Sequence, residues 1–143
     1  MFSLLSVNAS GMAAERTRAA LLVENLANAE TTRTPEGGPY RRKDAVFESR
    51  SVESPFASVF ESLALPPASG VGVREILVDQ RDPEKRYVPG HPDADSEGYV
   101  AFPRVNPAEE MVDLMGAARN YHANVAAMTA IKDMIQRSID LLR

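Results

Sequence analysis

A chain of 143 residues with 44% hydrophobic residues suits one domain, or a small domain with helical extensions, and 6% aromatics with no Trp make a thin core. A formal net charge of −4 argues against the basic face that nucleic-acid binding needs. The absence of Cys removes disulfides, thiol nucleophiles and thiolate metal sites together.

From the start of the chain, Met1-Phe2-Ser3-Leu4-Leu5-Ser6-Val7 lacks the basic n-region and the apolar length of a secretory signal. No run approaches the ~20 apolar residues that span a bilayer. The expectation is a cytosolic chain without direct membrane insertion, or one exported by a route that cleaves nothing. Leu4 to Ala29 is apolar at helical spacing, with Leu5, Met12, Ala19 and Leu26 seven apart and Leu22 beside them. Gly11 implies either a helix that starts after it or another backbone in close approach. Asn25 and Asn28 are poor helix-interior residues and mark the end of this segment.

Residues 31–105 form a Pro/Gly-rich middle segment in which long helices are excluded. Short extended runs are predicted at Tyr40–Phe47, Val71–Asp79, Tyr87–Val88 and Gly98–Phe102. Ser54 to Ala68 reads as loop with one helical turn near Val59–Leu63. The chain therefore divides into an N-terminal helix (1–30), a small β-rich middle (31–105) and a long C-terminal helix (106–143).

The last segment is the most informative. Asn106 supplies an N-cap oxygen, Pro107 sits where a missing N–H costs nothing, and Glu109 would complete a capping box. One heptad set is Met111, Ala118, Val125, Lys132 and Ile139; the other is Leu114, Tyr121, Met128, Ile135 and Leu142. Only Lys132 breaks the apolar pattern. A helix of this length spans roughly 55 Å, whereas a compact body of this size is under ~40 Å across. Part of the seam must pack outside such a body. The predicted fold is mainly α: two long terminal helices in an antiparallel coiled coil, with an irregular, small β-rich middle.

Candidate chemistry is thin. His91-Pro92-Asp93-Ala94-Asp95 places a His beside two carboxylates, yet it reads as a Pro-Asp turn held by Asx bonds. A metal site needs three or four ligands, and the other His, His122, lies on the long helix. Glu109, Glu110 and Asp113 complement the helix dipole in its first turns. Arg41-Arg42-Lys43 is the one dense basic run and reads as an interaction edge or a solvated strand. Gly37-Gly38-Pro39 is a turn that matches no phosphate-loop pattern. No catalytic residue, cofactor site or metal site is expected.

Three stretches resemble bacterial flagellar basal-body rod and hook proteins. They are the Asn25-Leu26-Ala27-Asn28-Ala29 block with Pro35-Glu36-Gly37-Gly38-Pro39-Tyr40-Arg41-Arg42 after it; Val88 to Asn106, with Gly90-His91-Pro92-Asp93-Ala94-Asp95; and Glu109 to Val125 on the long helix. The Gly-Gly-Pro-Tyr-Arg-Arg and Gly-His-Pro-Asp-Ala-Asp elements are most similar to the proximal-rod members. Val23-Glu24 departs from the pattern, where small or apolar residues are expected. The resemblance implies a structural subunit without a cleaved signal, which passes unfolded through the flagellar export apparatus and assembles into the periplasm-spanning rod. Its implied partners are copies of itself and other rod and basal-body proteins. The interface would use Leu5, Met12, Ala19, Leu22, Asn25, Leu26 and Asn28 with both heptad sets of the long helix, and Arg41–Lys43 would bridge to an acidic patch on a neighbouring subunit. Two other classes compete: a soluble helical adaptor that dimerises through its terminal helices, and an enzyme built on His91, Asp93 and Asp95.

Overall fold

The structure, a computed structural model, describes residues 2–51 and 69–141. Leu142 and the loop and helical turn expected between Ser54 and Ala68 lie outside the described residues. Helix α1 runs Phe2–Ala27, β1 Lys43–Ser51, β2 Ser69–Val78, β3 Glu84–Tyr87, β4 Tyr99–Phe102 and α2 Pro107–Asp140. Helices make up 48% and strands 22% of the described residues, so the label mainly α is borderline. The coarse expectation holds: two terminal helices flank a small antiparallel β region.

Helix α1 continues straight through Gly11, so the alternative of close approach applies. A Cβ on Gly11 would stand 3.1 Å from the side-chain amide nitrogen of Asn124. The helix stops where the asparagines predicted, with the Asn28 N–H donating back to Glu24 O and Asn25 O. At the start of α2 the Asn106 side chain accepts from the Ala108 N–H at 3.1 Å, and Pro107 opens the first turn. The capping box is not completed. Among the described residues Glu109 makes no return bond, because the carboxylate that turns inward is Glu110, one residue later.

The helices lie antiparallel. Gly11 faces Asn124, Glu15 accepts from Asn120 Nδ2 at 3.1 Å, and Asn25 bonds Glu110. Each step forward along α1 matches an equal step back along α2. Continuing that register puts Ile131 opposite Leu4 and carries the end of α2 past the start of α1.

The strands form two separate antiparallel pairs, β1–β2 and β3–β4. The first has a bulge between Val46 and Phe47 and packs on α1, where the Val71 N–H donates to Ser10 Oγ at 3.0 Å. The second buries Val100 and Phe102, and the Arg86 guanidinium lies over the Phe102 ring at 4.9 Å. Ala29, Tyr40 and Val105 form one small buried cluster where the end of α1, the loop before β1 and the approach to α2 meet. Burying one side chain such as Leu22 contributes about 2 kcal/mol. With so few large apolar residues enclosed, polar contacts must supply much of the specificity.

Candidate subunit-interface site

Two features stand out: a buried polar junction that fixes α2 against α1, and an apolar stripe that the junction leaves outside. The junction is built around Asn25, which is 0% exposed. Its Nδ2 donates to Lys43 O at 2.8 Å and to Glu110 Oε2 at 3.0 Å. Its Oδ1 accepts from the Tyr40 hydroxyl and the Lys43 N–H, both at 2.9 Å. An amide side chain has two donors and two acceptor positions, and all four are used. Asn25 therefore ties the end of α1 to the start of β1 and to α2 within one chain. It has no surface left for a neighbour, contrary to its expected place on a subunit interface.

Glu110 is 2% exposed. Its second oxygen, Oε1, accepts from Arg42 Nε at 2.5 Å. Glu110 stands in the first turn, where its charge complements the helix dipole as expected, and it does so as a buried ion pair. The rest of the basic run is also consumed inside the chain. Arg42 reaches Asp44 at 3.2 Å, Lys43 Nζ pairs with Glu24 at 2.6 Å, and Arg41 Nη1 donates to Asp79 O at 3.0 Å. Arg42 and Lys43 are thus paired within the chain, whereas Arg41 remains exposed. The pairing also explains Glu24, whose carboxylate is the partner of Lys43. Burial, with the nearby carboxylates of Glu24 and Glu110, pushes the Tyr40 hydroxyl up to about 12.

The loops of the resemblance are shape elements around this junction. Gly37 and Gly38 adopt φ of 93° and 75°, the left-handed region open to glycine. Exposed Gly37 and Gly38 lead through half-buried Pro39 to buried Tyr40. The turn after Gly90 is internally bonded: Asp93 N–H donates to His91 Nδ1 at 3.1 Å, and Asp95 Oδ1 accepts from the Glu97 and Tyr99 N–H groups at 2.9 Å each. Asp93 Oδ2 accepts from Thr32 Oγ1 at 2.8 Å, His91 stacks edge-on against Phe102, and Pro92 is exposed. The residues form the Asx-held turn expected of them. Among the described residues, no group of three or more His, Asp or Glu is placed to hold a metal.

The seam of α2 that faces inward differs from the expected one. Its buried or half-buried positions include Glu110, Leu114, Ala117, Asn124, Met128, Ile131 and Ile135. Of the set Leu114, Tyr121, Met128 and Ile135, all but Tyr121 stay half-buried, and Tyr121 is exposed at 38%. The other set is displaced by one residue: Glu110, Ala117, Asn124 and Ile131 turn inward, whereas Met111, Ala118, Val125, Lys132 and Ile139 are exposed. Met115 and Val112 lie exposed beside Met111. On α1, Leu22 and Asn25 are buried, and Leu5, Met12, Ala19, Leu26 and Asn28 are half-buried. Sequence reasoning missed Glu110, Arg42 and Asn124 as inward-facing groups. The available signal was positional: Glu110, Ala117, Asn124 and Ile131 are themselves spaced by seven.

Residues 96–141 match the family described as "Flagellar basal body rod FlgEFG protein C-terminal". The chain is 41% identical to the flagellar basal-body rod protein FlgC of Bacillus subtilis, over 98% of this chain and 97% of that protein. It is 37% identical to FlgC of Borreliella burgdorferi, over 100% of this chain and 98% of that protein. For FlgC of Salmonella typhimurium the identity is 31%, over 99% and 97%. Similarity at this level, running through both helices and the buried junction between them, places the chain in the FlgC family of flagellar basal-body rod proteins.

Proposed function

We propose that this chain is a structural subunit of the flagellar basal-body rod, in its proximal part, and that it polymerises through its terminal helices into the shaft that transmits motor torque. The near-full-length similarity to FlgC proteins carries this reading. A shaft needs subunit contacts that do not close on themselves, because heterologous contacts that fail to close build a helical tube. The exposed stripe of Met111, Met115 and Val125 and the overhanging end of α2, with Ile139 51% and Leu141 87% exposed, supply apolar surface for such contacts. The paired helices extend, through neighbouring subunits, into an antiparallel coiled-coil arrangement.

The three segments 1–30, 31–105 and 106–143 are rod-core helix, β-rich middle and rod-core helix. The chain acts without an active site or cofactor. It is exported unfolded through the flagellar apparatus and works in the periplasm with copies of itself and other rod proteins. No helix of the described residues is long and apolar enough to cross a membrane.

The decisive experiment is mass spectrometry of hook–basal bodies purified from the source bacterium. The expected result is this chain, intact from Met1, in several copies per particle. Its absence from washed particles that hold the other rod proteins would sink the rod reading and favour a dimerising helical adaptor.

A further inference from the structure

Helix α2 carries two overlapping heptad seams that share Leu114, Tyr121, Met128 and Ile135. They differ at the remaining positions: one uses Met111, Ala118, Val125 and Lys132, the other Glu110, Ala117, Asn124 and Ile131. The hydrophobic effect alone gives little reason to bury the second, which trades Met and Val for Glu and Asn and gains only Ile131 in place of Lys132. Yet the second faces α1. We infer that the buried polar contacts of Glu110, with the fit of half-buried Asn124 against Gly11, set the rotation of α2 about its own axis and so decide which of its two seams is kept for the outside.

The chemistry supports a selector. In the observed rotation Glu110 meets the Asn25 amide and the Arg42 guanidinium, and Asn124 fills the space above Gly11, where any side chain would intrude. Moving to the other seam turns α2 by about 50°. That turn would leave Asn25 without one of its four partners and Arg42 without its buried carboxylate, and would bring Val125 over Gly11. A single buried polar position is known to fix register and partner choice in paired helices at some cost in stability. Here Glu110 and Asn124 each lie one heptad from Ala117, on opposite sides of it, so the same rotation pairs Glu110 and seats Asn124 over Gly11. Glu110 is thus a positioning residue for the outward stripe of Met111, Met115 and Val125. The inference concerns contacts within one chain and stands whether or not the rod reading does.

The natural absence of Cys makes the test direct. Two versions of the full-length chain are prepared, Gly11→Cys with Asn124→Cys and Gly11→Cys with Val125→Cys, and oxidised under identical conditions. The 124 pair is expected to close at least tenfold faster. Equal rates, or faster closure at 125, would overturn the inference. The comparison is then repeated with Asn25→Leu and Glu110→Leu together, where the preference for 124 should vanish or reverse while helix content persists. Retention of the full preference would overturn it. A further arm, insensitive to any failure of that variant to fold, uses the exposed substitution Lys132→Leu, which perfects the rival seam and leaves the polar contacts in place. The tenfold preference for 124 should survive; a switch to 125 would show that apolarity, not the buried pair, sets the rotation.

Discussion

The two ends of α2 are built on opposite terms. At the first turns every buried polar atom of Glu110 has a partner drawn from α1 or from the segment entering β1. At the last turns Met134, Ile139 and Leu141 are apolar and exposed. Near Asn25 the chain completes itself, because buried charge without a partner is costly. Far from it the chain is left open, because apolar surface can stay exposed until a neighbour covers it. A subunit of a polymer needs both: one region that fixes its shape and another that remains available.

The largest effect expected from breaking the junction is that of Glu110→Ala. It strands the Arg42 guanidinium and one donor of Asn25. Loss of one partner from a buried pair costs about 3–5 kcal/mol; with Arg42 a quarter exposed, about 2–4 kcal/mol is expected. Denaturant unfolding followed by far-ultraviolet circular dichroism measures it, and a loss under about 1 kcal/mol would show that the pair is screened like a surface bridge. Asn25→Ala should follow closely, at about 2–3 kcal/mol, since it leaves the Lys43 backbone groups and the Tyr40 hydroxyl unsatisfied.

A pH titration separates the junction from the open end at smaller amplitude. The Tyr40 hydroxyl has its folded value raised to about 12, above its ordinary value of about 10. Its contribution is therefore fully present below pH about 10 and is lost as pH rises through about 12. Tyrosinate absorbance should show a step near pH about 12, and Tyr40→Phe should remove it. If no such step is seen, or it survives Tyr40→Phe, the hydroxyl is not enclosed as described.

At the open end the expectation inverts. Val125→Asp and Ile139→Asp should change the stability of the isolated chain by no more than about 0.5 kcal/mol, as surface substitutions do, and still block incorporation into basal bodies. Leu26→Asp and Ile135→Asp, at half-buried positions, should block incorporation too; normal motility of all four would refute assembly through the terminal helices. The smallest effect is that of His91→Ala, which removes one acceptor from a turn that Asp95 holds independently. Near-normal motility is expected, and loss of function restored by an added divalent metal would revive a catalytic reading.

How much of this could be read from the residues depends on the range of the interactions involved. The extents of both helices follow from local signals: Asn106-Pro107 opens α2, and Asn25 and Asn28 announce the end of α1. Three of the four extended runs were legible from their residue types, although β1 spans Lys43–Ser51 rather than Tyr40–Phe47; the fourth, expected at Tyr87–Val88, meets β3 only at Tyr87, because Glu84–Tyr87 carries no apolar alternation. Tyr40, Arg41 and Arg42 are drawn instead into side-chain contacts with α1, α2 and the residue after β2. Gly11 signalled a close approach without naming Asn124 as the group that approaches.

Local pattern alone dictates two long terminal helices around a short β region, and composition removes Cys chemistry. These properties rest on periodicity, caps and composition, each set by residues a few positions apart. Only the tertiary structure decided that Glu110 faces inward and Met111 outward, and that Arg42 and Lys43 are used within the chain. Those choices hang on Asn25, Glu24 and Gly11, which lie far away in sequence. A buried charge reveals its reason only when the partner that folding brings to it is in view.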